Sequence, residues 1–195
     1  MGISKGVFRK IMIIAALAVC VTANAQQHIG EVSVKTNALY DATLSLSLGA
    51  EMQVAPKWSL ELTGSYNGWD IDGNKWRHWI VQPEGRFWLN GDMAGHFFAA
   101  NFVIGQVNVG CFKSGLFGDE LQNSRFQGWL SGAGIGYGYA WRLSDSWKLE
   151  LEATVGVLHW QGERYSAYSG HLIQRDRSFT TVAPTKVAVN FAYVF

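Results

Sequence analysis

The chain is poor in cysteine and proline, with two and three among 195 residues. Cys20 lies in an N-terminal segment expected to be removed, which leaves Cys111 alone and excludes an intrachain disulfide. An exported domain of this size without disulfides must be stabilised some other way, and a closed barrel in a bilayer would do it. Charge of one sign is also missing: 16 Lys+Arg face 15 Asp+Glu, so nothing suggests nucleic acid as a partner. The five histidines and Cys111 show no metal-ligand spacing, so neither metal nor cofactor is expected. Internal repeats, low-complexity tracts and linkers are absent too.

What is present begins with an export signal. Lys5, Arg9 and Lys10 precede an apolar run, Ile11 to Val21, that is short for a transmembrane helix. Ala23-Asn24-Ala25 follows as an A-x-A cleavage site, so residues 1–25 are expected to leave as a signal peptide. Removal takes three basic and no acidic residues, leaving 13 against 15. Residues 26–195 are then long enough for one domain.

That domain reads as eight strands. In Leu44–Val54, Leu44, Leu46, Leu48, Ala50, Met52 and Val54 alternate with Ser45, Ser47, Gly49, Glu51 and Gln53. Side chains on a strand alternate between faces, so one face here is apolar and the other polar. The pattern recurs from Val32 to Tyr40, from Trp58 to Asn67, from His78 to Leu89, from His96 to Gly110, from Gly128 to Trp141, from Trp147 to Val157, and from Lys186 to Phe195. Pro83 within the fourth segment predicts a bulge. A phase slip at Gly105 in the fifth predicts another, placing Val107 and Val109 on the apolar side. The breaks after the second, fourth and sixth segments are short. Those after the third, fifth and seventh, at about 70–75, 111–125 and 161–184, are longer. Short periplasmic turns alternating with longer outer loops suit an up-and-down, antiparallel transmembrane β-barrel with both termini in the periplasm. The last strand ends on Phe195, which resembles the terminal-strand signal that such barrels present to their assembly machinery.

Which face meets lipid follows from the charges. The polar face carries Lys35, Glu51, Glu61, Glu84, Arg86, Lys148, Glu150, Glu152 and Lys186, and the apolar face carries none at mid-strand. A basic residue in the middle of a lipid-facing strand costs about 2–4 kcal/mol, and the parity avoids that cost in every strand. A soluble ligand-binding barrel could show the same parity inverted. Two features favour lipid outside. Apolar-face aromatics gather at the strand ends, with Tyr40, Tyr66, Trp79 and Trp129 toward the long loops and Trp58, Phe87, Trp141, Trp147 and Phe195 toward the short turns, as interfacial belts do. The other face of the sixth strand is a row of glycines, a poor water-facing surface. An eight-stranded barrel is filled by its own side chains. The nine charges are therefore expected to form a lumen ion-pair network, with a proton or ion path as the functional alternative.

Six segments taken together resemble an uncharacterised family of small outer-membrane barrels of the Bacteroidota. They are KTNALYDAT at Lys35–Thr43, KWSLELTGSYNGW at Lys57–Trp69, KWRHWIVQPEGRFW at Lys75–Trp88, GHFF at Gly95–Phe98, FQGWLSGAGIGYGYAW at Phe126–Trp141 and PTK at Pro184–Lys186. The resemblance implies a barrel, an envelope location in a Gram-negative cell and genes placed near those for fimbrium assembly. It supplies no catalytic or binding residues.

Enzyme chemistry is thinly represented. His159 has apolar-face parity, with Ser166 and Ser169 nearby, a crude base–nucleophile set such as a lipid A-modifying barrel would place near the outer leaflet. No orienting acid or motif accompanies it, and a histidine packed at the interface beside Trp160 is the simpler account. The GAGIGYG stretch lies inside a strand with no helix after it, so it is no phosphate loop. The last loop offers Arg164, Tyr165, Tyr168, Arg175 and Arg177 for outward contact. The expected function is non-enzymatic, structural or surface-interacting and fimbria-associated through the resemblance. Its partners would be outer-membrane lipid, lipopolysaccharide, the barrel-assembly machinery and fimbrial or other envelope proteins. A narrow pore and a lipid A-modifying enzyme are the alternatives.

Overall fold

Period-two alternation becomes strand along most of the chain. A computed structural model describes residues 30–71, 74–90, 93–110, 124–166 and 170–195. The strands are β1 (Val32–Asn37), β2 (Leu46–Ala55), β3 (Trp58–Asn67), the two-residue β4 (Asp70–Ile71), β5 (Asn74–Trp88), β6 (Gly95–Gly110), β7 (Ser124–Arg142), β8 (Trp147–Ser166) and β9 (Leu172–Val194), with one short helix, α1 (Ala38–Ala42). β4 only pairs back onto the start of β5. The others follow one another as antiparallel neighbours, β3 pairs with β5, and β9 pairs with β1. The protein is all-β, with eight antiparallel strands in one ring-like sheet.

Parity is kept around the ring. Ser33, Lys35 and Asn37 of β1, Glu51 of β2, Ser59 and Glu61 of β3, Gln82, Glu84 and Arg86 of β5, and Lys148, Glu150 and Glu152 of β8 are buried inside. Leu46, Leu48, Leu60, Leu62, Phe102, Ile135, Val155 and Phe191 are exposed outside. This inverts the usual soluble distribution, in which buried charge is rare unless paired.

Four details depart from the sequence expectation. First, β1 does not run to Tyr40. The Asn37 carboxamide oxygen accepts from Leu39 N (3.1 Å), capping α1, which turns the chain out of the ladder. Tyr40 consequently leaves the expected outer belt. It lines an interior space with Gln82, and its ring lies 6.2 Å from that of His78. Second, Pro83 makes no bulge. β5 keeps one register against β6 from Lys75↔Gly110 to Trp88↔Phe97, and only the rungs at Gln82 and Pro83 drop out, because proline lacks the N–H. Third, Gly105 makes no slip. β6 holds one register against β7 throughout, so Val107 and Val109 share the inward parity of Phe97 and Asn101. Fourth, the expected loop at 161–184 is mostly a hairpin in which β8 and β9 extend to Ser166 and Leu172. Its residues lack apolar alternation because neither face there packs on a core; the backbone ladder holds it, with side-chain contacts such as Arg164 Nε to Ser124 Oγ at 2.9 Å. A bulge at Thr185 shifts the β8–β9 register between Thr154↔Lys186 and Val155↔Pro184, which buries Thr185 and Lys186 together.

The ring is uneven in height. β1 has 6 residues and β9 has 23. β1 pairs with β9 only up to Asn37↔Asn190 and with β2 only up to Lys35↔Gly49. Above that level Asn37 bridges the join: its Nδ2 donates to Val187 O and its Oδ1 accepts from Val189 N, both at 3.2 Å. Replacing Asn37 with Ala should therefore cost about 1–2 kcal/mol, the worth of a helix cap with its neighbouring bonds. Asn37→Asp keeps the capping oxygen and should recover part of the loss. Denaturant midpoints of the three proteins check this, and equal midpoints would show that the bridge contributes nothing.

Candidate functional site

The interior is built in layers, starting at the short-turn end. Trp88, Met93 and Phe97 are fully buried there and pack with Ala99 and Ala140. The Trp88 and Phe97 rings sit 4.6 Å apart. A Cβ on Gly138 would meet Phe97 Cζ at 2.2 Å, so this glycine makes room for the ring.

Above this seal lies the charged layer. Register puts Glu51 beside Glu61 and Glu61 beside Glu84 on three successive strands. Like charges directly across a ladder repel. Arg86 resolves the repulsion from the centre: its guanidinium lies 3.0 Å from Glu51, 2.6 Å from Glu61, 2.7 Å from Glu84, 3.0 Å from Glu150 and 2.6 Å from Glu152. Its carbon also stacks 4.5 Å from the Phe97 ring centroid. Lys35 joins Glu51, Glu61 and Glu150 at 2.5, 2.9 and 2.7 Å. Lys186 joins Glu61, Glu84 and Glu152 at 2.7, 3.0 and 3.0 Å. Lys148 reaches Glu31 at 3.2 Å and the Met93 carbonyl at 3.3 Å. Ser59 donates to Glu51 (2.5 Å) and receives Trp88 Nε1 (2.8 Å), tying this layer to the seal. Gly49 leaves space for the stem of Lys35, since a Cβ there would lie 3.1 Å from Lys35 Cγ. All nine residues singled out in the sequence as a lumen network thus lie in this layer, each at most 4% exposed.

Two carboxylate triads, Glu51–Glu61–Glu150 and Glu61–Glu84–Glu152, have the spacing of metal ligands. Each is already bridged by Arg86 and one lysine, so the cations are the protein's own. The charged layer is capped by a triangle of neutral groups. Asn101 Nδ2 donates to Thr154 Oγ1 (3.0 Å), the Thr154 and Thr185 hydroxyls meet at 2.7 Å, and Thr185 Oγ1 donates to Asn101 Oδ1 (3.1 Å). Gln82 Nε2 adds a bond to Thr185 O at 2.8 Å.

Beyond the triangle the interior turns apolar around a cavity of about 250 Å³ lined by Ile80, Val103, Val107, Leu130 and Leu158 among others. This chamber is not among the features expected from the sequence. Strand parity already puts Ile80, Leu130 and Leu158 inward, but attention to charges passed over them.

The remaining named residues divide as follows. Trp58, Tyr66, Trp79, Phe87, Trp129, Trp141, Trp147 and Phe195 all point outward, with edge-on pairs such as Trp79–Trp129 (5.6 Å, 89°) and Trp147–Tyr193 (5.1 Å, 78°). His159 is exposed and its Nδ1 lies 2.9 Å from Thr180 Oγ1. Arg164 and Arg177 both stack on Phe126 at 5.7 Å rather than reaching into solvent. Tyr165 donates to Glu163, a bond that raises the pKa of its phenol, and it lies under Arg125 at 4.7 Å. Arg175 is exposed. Tyr168 and Ser169 lie outside the described residues, as do residues 1–25.

The fold and interior define a class: a small all-β ring, apolar outside and holding a layer of paired charge inside. Within that class the chain belongs to the family described as Protein of unknown function (DUF3575), whose profile matches residues 11–195. No curated protein and no solved structure matches it.

Because Arg86 serves five carboxylates, Arg86→Met should strand buried charge and cost about 3–5 kcal/mol, far more than an exposed ion pair is worth. Lys148→Met, which removes a peripheral cation, should cost less. Urea midpoints of the refolded variants check the order, and a reversed order would remove Arg86 from the centre of the layer.

Proposed function

We propose that the protein is an outer-membrane β-barrel with a structural or surface-interaction role, made with a signal peptide cleaved after Ala25 and holding both termini in the periplasm. The observation that carries the reading is the inside-out distribution of side chains. Outward positions between the two aromatic rows hold no Asp, Glu, Lys or Arg among the described residues, whereas the interior holds five acids and four bases. Hydrocarbon outside makes that arrangement favourable, and water outside makes it costly. No helix among the described residues is long and apolar enough to cross a membrane, so a crossing falls to the strands. β2 and β3, at 10 residues each, have the length of a tilted crossing.

A structural role is favoured over the narrow pore because the charged layer and the Trp88–Met93–Phe97 seal fill the path in succession. It is favoured over lipid A chemistry because His159 meets a threonine hydroxyl and not a carboxylate that could orient it. Surface contact would fall to the tall β8–β9 hairpin, where Tyr165 and Arg175 lie, with Arg125 of β7 beside Tyr165. Fimbrial proteins are the partners the family resemblance suggests for it. Expressed in a Gram-negative host, the protein should fractionate with the outer membrane, resist alkaline extraction and give no conductance steps in planar bilayers. Stable unitary steps would replace the structural reading with the pore. A monodisperse protein in detergent-free buffer would end the membrane reading.

A further inference from the structure

Above the Asn101–Thr154–Thr185 triangle the interior is not filled. Ile80, Val103, Val107, Leu130 and Leu158 face one another across the 250 Å³ chamber, with Gln82 and Thr185 at its floor. The side chains are short for this bore, and Gly105, Gly132 and Gly156 take inward positions among them. Water holds a buried site only with two to four polar partners; of the lining groups Tyr40, His78, Gln82 and Thr185 are polar, Gln82 already donates to Thr185 O, and the rest of the wall is aliphatic. An empty apolar cavity forfeits the contacts of every group lining it. The chamber therefore favours an apolar occupant.

The strand wall beside the chamber is interrupted over the short β1. Over the short β1 there is no strand between β2 and β9 among the described residues, and the interval is spanned by α1. Apolar side chains flank this seam on the outside, Leu46 and Leu48 on one side, Val182 and Val187 on the other and Leu39 on the helix, while Thr36, Asp41 and Ser47 hydrogen-bond one another between α1 and β2. Tyr40 of α1 and Pro184 of β9 belong both to the seam and to the chamber lining. The seam thus links the apolar exterior to the apolar chamber at one level.

We propose that the chamber binds a single alkyl chain, the tail of a membrane lipid or a free fatty acid, admitted sideways through the seam under α1. The sideways route rests on the membrane reading given above; the chamber does not. Alkyl chains suit the site because it is small and lined mainly by aliphatic groups, and small-ligand sites span about 300–1,000 Å³. The space of about 250 Å³ falls just below that range, room for part of one chain rather than a whole lipid.

The test is photolabelling of the protein in lipid nanodiscs. One arm uses a diazirine-bearing hexadecanoic acid and the other a phosphatidylcholine with the same diazirine chain. Adducts are mapped by peptide mass spectrometry. The expected result is inward adducts at Val107, Leu130 or Leu158 from at least one probe, and the probe that succeeds identifies the source. Leu158→Trp should reduce inward labelling roughly tenfold by filling the space, while labelling at outward Leu62 stays unchanged. If Leu158→Trp fails to fold, Val103→Phe replaces it. Adducts confined to outward residues with both probes, in a protein that fractionates with membranes, would overturn the proposal and leave the barrel standing. Inward adducts from the free acid in a protein that proves soluble would overturn the membrane reading and keep the chamber.

Discussion

Arg86 is the constraint on which the rest depends. Register alone brings Glu51, Glu61 and Glu84 side by side, and β8 adds Glu150 and Glu152 from across the ring. Five carboxylates in so small a volume can be folded only around cations, and a planar guanidinium with its donors in a fixed fork can serve several of them at once. Lys35 and Lys186 complete the layer from the two strands that close the ring. The ion pairs therefore join β1, β2, β3, β5, β8 and β9, tying together strands that are distant in sequence. A buried salt bridge adds little net stability over an apolar core, but losing one partner is severe. The layer consequently acts as a lock on register: a strand that slipped by one residue would turn its charge outward.

Features around that layer follow from the space it occupies. Gly49 and Gly138 give way to Lys35 and Phe97, and Trp88 reaches the charges through Ser59. Asn101, Thr154 and Thr185 satisfy one another and form a neutral transition to the chamber above. This grading from aromatic to ionic to amide to aliphatic gives the interior its polarity profile. The profile separates a filled lower half from an open upper half beside the seam.

Much of this was legible in the sequence because strand parity is a strict code. Glu51, Glu84 and Glu152 alternate with Met52, Gly85 and Ala153, and nothing but a strand sorts them so. What parity could not show is where a strand stops or shifts. Asn37 reads equally as a strand residue or a helix cap, so α1 and the inward turn of Tyr40 were hidden. Thr185 reads as part of a loop, so the bulge that buries it with Lys186 was hidden too. Gly105 suggests a slip because Val107 and Val109 are apolar where a uniformly polar interior would have polar residues. The interior is polar only where the charges lie, and that depends on six strands meeting at one height, which no single segment records.

In the proposed membrane-spanning arrangement the apolar face meets hydrocarbon while the ionised face is enclosed. In a Cys111→Ser background, a nitroxide at outward Leu62 or Ile135 of the reconstituted protein reports its surroundings through spin relaxation. Hydrocarbon at these positions would give strong relaxation by dissolved oxygen and weak relaxation by a water-soluble nickel chelate, as at mid-bilayer depth. Relaxation dominated by the chelate at both positions would contradict that arrangement.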